Sequence, residues 1–476
     1  MKKLIIAAFV LAWVAYTPKA QTSKQLLNKT FKEIGKIYSR NSSEIKVSDL
    51  WIGGEVLDRD LCSYDAYKEY LGELGAKKIR LQSGWAKTEK QKGIYDFEWL
   101  DHIINDAISR GIQPWIQISY GNPIYEGGGG ASLNLGMITS DVALEAFAKY
   151  AKVLVLRYKD RISEWEIWNE PDGHSKPKDE NIYANLFIKT ADAIKSVQPE
   201  SKIIALSLAG VHKPEFVEGF FKYLKDSDKL DLVDVITFHG YPKNPDDNFD
   251  GVDKLIAISK KYKSDIEFWQ GETGCPSTLG STGALSNYPW TEHSQAKWNL
   301  RRALAHIGRG YKFSLFLLSE FVYNDEMRKG LNSKGILKID ESDYSIKYAK
   351  LAYFAYQNLC SVYGRELELI KEKNYNAITD SSLSVFVWKG HENMLFLAYW
   401  KNNRIPTDND HYFDFDLELK STSFKNPVLV NPFNGKILSI PRRNQIKKKQ
   451  NILFKDIPCY DSPLLIVEKR LIEIEK

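Results

Sequence analysis

The sequence contains few of the residues that form disulfides or metal sites. Its 476 residues include only four cysteines, Cys62, Cys275, Cys360 and Cys459. These lie far apart and form no CxxC pair, which argues against a zinc site and favours free thiols. The eight histidines show no metal-binding pattern either. The sequence therefore predicts neither a metal nor another cofactor.

Three common enzyme signatures are also missing. No GxGxxG opens the first strand–helix turn, and no GxSxG marks a nucleophilic serine. The glycine run at 127–130 lacks the Lys-Ser/Thr sequel of a phosphate-binding loop, so we interpret it as a flexible loop. A lyase or an esterase remains an alternative that no motif supports.

No apolar run is long enough to cross a bilayer, which takes about 20 residues. The run Leu4–Val14 follows Lys2 and Lys3 and precedes Ala20, a pattern typical of a secretory signal peptide over residues 1–20. No cysteine follows it for lipid attachment. We therefore expect a secreted or periplasmic protein without stable membrane insertion.

The net charge is small. Removal of Lys2, Lys3 and Lys19 with the signal peptide lowers it from +5 to +2, which gives no support for a nucleic-acid partner. A local basic run, Arg442, Arg443 and Lys447–Lys449, is interpreted as a solvated face, with contact to an acidic glycan as the alternative. The oligomeric state stays open.

Aromatic residues are abundant. The chain has 12 Trp, 26 Tyr and 22 Phe, or 13% of all residues. Such an excess indicates either a large core or flat platforms for a flat ligand. The other fractions, 43% hydrophobic and 27% charged, are those of an ordinary globular protein.

Strand-like and helix-like stretches alternate after a polar, partly helical lead-in at residues 21–49. Eight apolar runs predict strands: Leu50–Val56, Lys78–Gln82, Pro114–Ser119, Ser163–Trp168, Lys202–Ser207, Val233–Phe238, Ile266–Gln270 and Phe313–Leu318. Most are separated by stretches with apolar residues three and four apart, which indicates helices packing on a sheet. This pattern predicts a (β/α)8 TIM barrel over residues 50–365, with an open doubly wound sheet as the second possibility.

The pattern changes in the last quarter of the chain. Short alternating runs separated by turn signals predict strands at Ser382–Trp388, Asn393–Trp400, Tyr412–Leu419, Pro427–Val430, Ile437–Ile440 and Leu464–Lys469. We interpret residues 366–476 as an all-β sandwich domain. Because no long linker precedes it, we expect it to pack on the barrel.

Two glutamates follow apolar runs at predicted strand ends. Glu170 closes the fourth strand in Trp165-Glu-Ile-Trp-Asn-Glu-Pro171, and Glu272 closes the seventh in Phe268-Trp-Gln-Gly-Glu-Thr-Gly274. The carboxyl ends of parallel barrel strands share one mouth, so these side chains should meet there. A protonated and an ionised carboxyl group at one site are what glycoside hydrolysis requires.

These two motifs resemble those of clan A glycoside hydrolases, which are retaining enzymes on a (β/α)8 barrel. The resemblance implies that Glu170 is the acid/base and Glu272 the nucleophile. It also implies that Asn169 bonds the sugar 2-hydroxyl. The segment Leu74-Gly-Ala-Lys-Lys-Ile-Arg80 is similar to the clan's second strand, whose arginine supports the nucleophile.

Further segments extend the resemblance. Phe238-His-Gly-Tyr-Pro242 resembles the clan's sixth strand end, which implies that His239 and Tyr241 contact the nucleophile or the sugar. Trp85, Glu89 and the nearby Gly93-Ile-Tyr-Asp-Phe97 are similar to the xylosidase-like family 39. Cys-Pro-Ser277 after the nucleophile departs from the aromatic residue that this family often places there.

The sequence thus predicts a retaining glycoside hydrolase that cleaves a poly- or oligosaccharide through a covalent glycosyl-enzyme intermediate. A β-xylosidase-, glucosidase- or galactosidase-like activity is favoured. For retention the two carboxyl groups should lie about 5–5.5 Å apart, against about 6.5–9.5 Å for inversion. A non-catalytic carbohydrate-binding barrel is the alternative.

Several side chains are predicted to contact the substrate. Besides Asn169, Arg80, His239 and Tyr241, we expect Trp85 and Trp269 to stack on sugar faces. Trp115 and Trp290 are weaker candidates for the same role. Glu166 is expected to point into the barrel paired with a cation, and Glu320 to be either a substrate ligand or a solvated loop residue.

Overall fold

The structure is a computed structural model that describes residues 31–475 with gaps at 134, 174–177, 325–327, 372–374, 378–381 and 421–423. The predicted signal peptide, residues 1–20, lies outside the described residues. So do residues 21–30 of the predicted lead-in.

The described chain begins with strand β1, Glu33–Ile37, and not with a helix. This strand pairs antiparallel with Lys436–Leu438 and with Ile474–Glu475 near the other end of the chain. The prediction of a partly helical lead-in is therefore wrong over residues 31–49, where the structure has no helix. Backbone hydrogen bonds to two neighbouring strands favour the extended form here.

Eight parallel strands close into a barrel in the order β2 to β9. They are Leu50–Gly53, Lys78–Gln82, Gln113–Ile118, Glu164–Ile167, Lys202–Leu208, Val235–His239, Glu267–Thr273 and Lys312–Leu315. The barrel closes where β2 pairs with β9, with Leu50 opposite Phe313. The predicted TIM barrel is confirmed, and the open doubly wound sheet is excluded by this closure.

Helices surround the barrel. They are α1 Tyr64–Glu73, α2 Trp85–Thr88, α3 Glu98–Ser109, α4 Asp141–Tyr158, α5 Glu180–Lys195, α6 Pro214–Asp226, α7 Phe249–Tyr262, α8 Glu292–Ile307 and α9 Leu351–Tyr363. In α6, Phe216, Phe220 and Leu224 recur every four residues and are buried, so one face packs inward. Within the described chain, none of the helices is both long and apolar enough to cross a membrane.

Two short hairpins separate β9 from α9. The first pairs β10, Phe321–Asn324, with β11, Lys329–Asn332. The second pairs β12, Leu337–Ile339, with β13, Ile346–Ala349. The first hairpin lies at the barrel mouth, because its Tyr323 lines the pocket described below.

The C-terminal part forms two antiparallel sheets. The larger has the order β14-β16-β17-β23-β19-β20-β1-β24, and the smaller β15-β18-β22-β21. Their strands are β14 Glu368–Leu369, β15 Tyr375–Ala377, β16 Leu383–Lys389, β17 Leu395–Lys401, β18 Phe413–Leu419, β19 Pro427–Asn431, β20 Lys436–Ser439, β21 Gln445–Lys448, β22 Asn451–Cys459, β23 Leu464–Glu468 and β24 Ile474–Glu475. Apolar side chains of both sheets share one core, so the predicted sandwich is confirmed.

Buried charged side chains join this sandwich to the barrel. Lys297 of α8 donates to Asp461 Oδ1 over 2.8 Å, and Arg301 donates to Asp246. Trp400 of β17 donates its ring N–H to the same Asp246 over 2.9 Å. The sandwich therefore packs on the barrel, as the absence of a long linker predicts.

The four cysteines form no disulfide. Each of their side chains is buried. Burial raises the pKa of Cys62 to about 12, so this thiol stays protonated at neutral pH. The expectation of thiols outside disulfides is confirmed.

Candidate active site

The polar groups of the barrel mouth come from the carboxyl ends of successive strands. Arg80 lies on β3, Ser207 on β6 and His239 at the end of β7. Glu170 follows β5 by three residues, and Glu272 lies near the end of β8. Residues more than 190 positions apart in sequence thus meet at one site.

The two glutamates lie close together. One carboxylate oxygen of Glu170, one of Glu272 and a ring nitrogen of His239 all lie within 4.8 Å of one another. This bound on one oxygen pair is closer to the carboxyl separation of about 5–5.5 Å in retaining glycosidases than to the roughly 6.5–9.5 Å of inverting ones. The pair can act as nucleophile and acid on opposite sides of one glycosidic bond.

Glu272 is held as an ionised carboxylate. Tyr241 donates its hydroxyl to Oε1 over 2.6 Å, and Arg80 donates Nη1–H to Oε2 over 3.0 Å. Burial alone would raise the pKa of Glu272, but the charges of His239 and Arg80 and the Tyr241 hydrogen bond outweigh it and lower the pKa. A nucleophile needs this ionised state.

Glu170 is bonded to a histidine. Its Oε1 lies 2.9 Å from His239 Nδ1, while His239 Nε2 lies 3.1 Å from Ser207 Oγ. Burial lowers the pKa of His239, but Glu272 and the bond to Glu170 outweigh this and raise it. The raised pKa favours a protonated His239 ring, whose Nδ1–H can donate to Glu170.

The backbone around Glu170 adopts an uncommon conformation. Trp168 has φ 70° and Glu170 has φ 51°, both in the left-handed region. The amide of Glu170 donates to the carbonyl of Ser207 over 2.9 Å, which fixes this turn to β6. Strain of this kind clusters at functional sites, where neighbouring structure holds it.

Arg80 is the centre of the hydrogen-bond network. Its guanidinium donates to Glu166, Glu55, Glu272, Asn169 and Ser207 over 2.8–3.0 Å. The side chain is completely buried. All of its N–H donors are thus used within the protein, so the prediction that Arg80 binds substrate is wrong. Its predicted support of the nucleophile fits the structure, because it donates to Glu272. Glu166 is the inward-facing, cation-paired residue that we expected.

Glu55 shares Arg80 with the nucleophile. Its Oε1 accepts from the same Nη1 that bonds Glu272, and its Oε2 is buried without a partner. Burial, only partly offset by Arg80, raises the pKa of Glu55 to about 7. When Glu55 is protonated, it does not compete with Glu272 for the positive charge of Arg80.

Asn169 and Tyr241 lie where the sequence places them. Asn169 lines the pocket, accepts from Arg80 and Gln117 through Oδ1, and donates to the Tyr120 hydroxyl over 3.1 Å. Tyr241 and His239 contact the two glutamates directly. The structure thus brings all three residues to the site, and their roles toward the sugar stay predictions.

The two predicted tryptophan platforms are not at the site. Trp269 is fully buried against Trp51 and Trp115 and donates its ring N–H to Glu267, the first residue of β8, so it lies toward the opposite end of the barrel. Trp85 is buried against Tyr125 and bonds Glu89 over 2.5 Å. The prediction that Trp85 and Trp269 stack on sugar is therefore wrong.

The remaining candidates are also structural. Trp115 is completely buried and Trp290 is 2% exposed, so neither offers a ring face to a ligand. Glu320 is neither a substrate ligand nor a solvated residue: it is buried and paired with Lys350 over 2.5 Å and with Lys338 over 3.1 Å.

A pocket with an open volume of about 410 Å³ is lined by Glu272 and Asn169. Sequence analysis missed several lining residues, among them Arg59, Gln82, Tyr120, Tyr323 and Arg328. Gln82 and Tyr120 stand at or just after strand ends, so the rule that found Glu170 could have found them. Tyr323 and Arg328 come from the β10–β11 hairpin, for which the barrel pattern gives no signal.

One group at the site has the spacing of metal ligands. Within the described residues Glu170, His239 and Glu272 form a set that could hold an ion. The hydrogen bonds already described account for each of these side chains. Double displacement by two carboxyl groups requires no metal.

The comparisons with known proteins agree with this geometry. The model of glycosyl hydrolases family 39 matches residues 74–256, a range that includes Glu170 and ends before Glu272. A family 39 glycoside hydrolase from Bacteroides cellulosilyticus WH2 is 20% identical, with a TM-score of 0.62 over 88% of this chain and 81% of that chain.

Other solved structures share the fold at lower identity. A monomeric β-xylosidase from Caulobacter crescentus CB15 is 17% identical, with a TM-score of 0.57 over 90% of this chain and 97% of that chain. A glucosidase from Croceicoccus marinus is 14% identical, with a TM-score of 0.55 over 91% and 96% of the two chains. The match of residues 74–256 and the paired glutamates agree with the motifs, and over this range the chain is similar to glycosyl hydrolases family 39.

Proposed function

We propose that the protein is a retaining β-glycosidase in which Glu272 is the nucleophile and Glu170 the acid/base. The observation that carries the proposal is the close approach of two carboxyl groups in opposed environments. Glu272 accepts from Arg80 and Tyr241, whereas Glu170 shares a hydrogen bond with His239. These partners lower the pKa of Glu272 and place Glu170 against a ring nitrogen that can donate or accept a proton.

The reaction takes two displacements. In the first, Glu272 attacks the anomeric carbon and forms a glycosyl ester, while Glu170 gives its proton to the departing glycosidic oxygen. In the second, Glu170 takes a proton from water, whose oxygen attacks the anomeric carbon and releases Glu272. His239 stabilises Glu170 in both protonation states because its ring nitrogen can donate or accept.

We propose a β-xyloside, β-glucoside or β-galactoside as substrate. A xylosidase and a glucosidase among the similar structures support this range. The pocket beside Glu272 is small, which favours terminal sugar rings over a long stretch of polymer. A non-catalytic barrel is disfavoured because sugar binding alone requires neither glutamate.

Hydrolysis of 4-nitrophenyl β-xyloside, glucoside and galactoside tests the proposal. We expect Glu272→Gln to lower kcat by roughly 10⁴-fold or more, because the amide cannot form the ester. The exposed Glu341→Gln serves as a matched control and should leave kcat unchanged. Proton NMR of the first-formed sugar should show the β anomer. An α product, or near-normal turnover by Glu272→Gln, would contradict the assignment.

We also propose that the protein is exported and acts in the periplasm or outside the cell. The charged start, apolar run and small residues of positions 1–20 support this. N-terminal sequencing of the protein from each cell fraction tests it, with a chain starting near Gln21 expected outside the cytoplasm. Recovery of only cytoplasmic chains that retain Met1 would contradict it.

A further inference from the structure

A second concave surface lies on the sandwich domain, with an open volume of about 1320 Å³. We call it the basic groove. Eleven residues line it: Ile34, Lys425, Asn426, Pro427, Val428, Ser439, Ile440, Arg442, Gln445, Lys447 and Lys469. None of them lines the pocket beside the glutamates, so the groove is a separate site.

Three chain segments bring its four cations together. Pro427 of β19 pairs with Glu468 of β23, and the amide of Lys469 donates to the carbonyl of Asn426 over 3.0 Å. This places Lys425 and Lys469 side by side. Arg442 and Lys447 come from the turn after β20 and from β21, where Gln445 donates to the carbonyl of Ile440 over 2.7 Å. The fold thus assembles a charge cluster that the sequence shows only in part.

These cations are exposed and are not neutralised by side chains of the described residues. Lys425, Arg442, Lys447 and Lys469 are all exposed. Glu468, which directly precedes Lys469, is 3% exposed. Its oxygens accept from the backbone amides of Lys425 and Asn426 over 2.8 and 2.7 Å. Its charge is thereby committed to the backbone, and none of the eleven lining residues is acidic.

The groove offers charge but no stacking surface. No aromatic side chain is among its lining residues, so it lacks the platforms that bind neutral sugar faces or unpaired bases. Its cavity, of about 730 Å³, is within the range of about 300–1,000 Å³ for ligand sites. The exposed Arg443, Lys448 and Lys449 add positive charge in β21 and on either side of it. An extended anion with regularly spaced carboxylates or sulfates fits these features.

We propose that the basic groove is an accessory binding site for an acidic glycan. Lysine and arginine head groups would bind carboxylate or sulfate groups of a polysaccharide, and this would hold the barrel near its substrate. The inference does not depend on the proposed turnover chemistry, because no residue of the groove is part of that pocket.

Binding of the full chain to polygalacturonate, dextran sulfate and unmodified dextran tests this, for example by isothermal titration calorimetry at low and high salt. We expect one or both polyanions to bind, dextran not to bind, and salt to weaken the affinity. Lys425→Glu combined with Lys447→Glu and Lys469→Glu should raise the Kd by about tenfold or more. The two polyanions distinguish carboxylate from sulfate as the recognised group.

A matched control removes charge elsewhere. Lys260→Glu with Lys261→Glu alters two exposed lysines at the end of α7 and should leave the Kd unchanged. Both sets of variants should hydrolyse aryl glycosides like the unmodified protein, and the milder Lys→Gln triple variant should bind with intermediate affinity. The proposal would be overturned if groove and control variants lost affinity equally, or if dextran bound as tightly as the polyanions. Tighter binding of duplex DNA than of either glycan would also overturn it.

Discussion

At the scale of single residues, the site separates two chemically similar carboxyl groups by their hydrogen-bond partners. Glu272 receives donors from Arg80 and Tyr241, and Glu170 is bonded to His239. The assignment of acid and nucleophile therefore depends on these partners as much as on the glutamates. Tyr241 is the partner that can be removed with least disturbance, since phenylalanine keeps its ring.

Tyr241→Phe should lower kcat/KM by about 10- to 100-fold, because a hydrogen bond to a charged group is lost. The hydroxyl lowers the pKa of Glu272, so its removal should raise that pKa. The acid limb of the kcat/KM profile should therefore move to higher pH. The pH dependence of aryl glycoside hydrolysis measures both effects.

Tyr38→Phe is a suitable control, since Tyr38 is 42% exposed and takes no part in the site. It should leave the profile and the Tm unchanged. If Tyr241→Phe also leaves the acid limb in place, the bond to Glu272 does not set its ionisation.

At the scale of elements, strand positions could be predicted from sequence, but side-chain directions could not. The predicted strand Lys78–Gln82 has the observed bounds, and Glu170 and Glu272 were located by the rule that strand ends share one mouth. The same rule placed Trp269 at the mouth, whereas it lies toward the opposite end of the barrel. Strand β8 has a register irregularity between Gln270 and Thr273, so simple alternation does not relate Trp269 to Glu272.

Other parts of the site had no usable signal. The β10–β11 hairpin follows the last barrel strand and shows no strand–helix periodicity, yet it supplies Tyr323 to the pocket. Trp85 was predicted to stack on sugar because its motif gives only its position along the chain. Its burial against Tyr125 and Phe147 depends on tertiary packing. Contacts between distant segments decide both cases.

A pair of variants separates these two kinds of element. Trp269→Ala should lower the free energy of unfolding by about 3–5 kcal/mol, since a cavity forms between Trp51 and Trp115, while the KM of the folded enzyme stays unchanged. Tyr323→Ala should raise the KM with a much smaller change in stability. Urea unfolding and steady-state kinetics measure both; a raised KM for Trp269→Ala at full folding would restore it as a substrate contact.

At the scale of the whole molecule, the barrel and the sandwich are joined by buried charges. Lys297 of α8 is completely buried and donates to Asp461 of the sandwich, whose side chain is 2% exposed. Asp461 also accepts from the amide and hydroxyl of Thr407. Burial would raise the pKa of Asp461, but Lys297 and these hydrogen bonds outweigh it and lower the pKa. The pair therefore stabilises the interface above the ordinary carboxyl pKa, and this contribution is lost as the pH falls.

Removal of one partner should therefore cost more than removal of both. Lys297→Met leaves Asp461 buried without its cation and should lower the free energy of unfolding by about 3–5 kcal/mol at pH 7. Lys297→Met with Asp461→Asn should recover part of this loss, because the amide still accepts from Thr407 and carries no charge. Calorimetry at pH 7 measures the cycle, with Lys260→Met at an exposed site as control. If the losses in the free energy of unfolding from the two single variants simply add, the two side chains do not couple the barrel to the sandwich. If the single unfolding transition splits into two in Lys297→Met, they do.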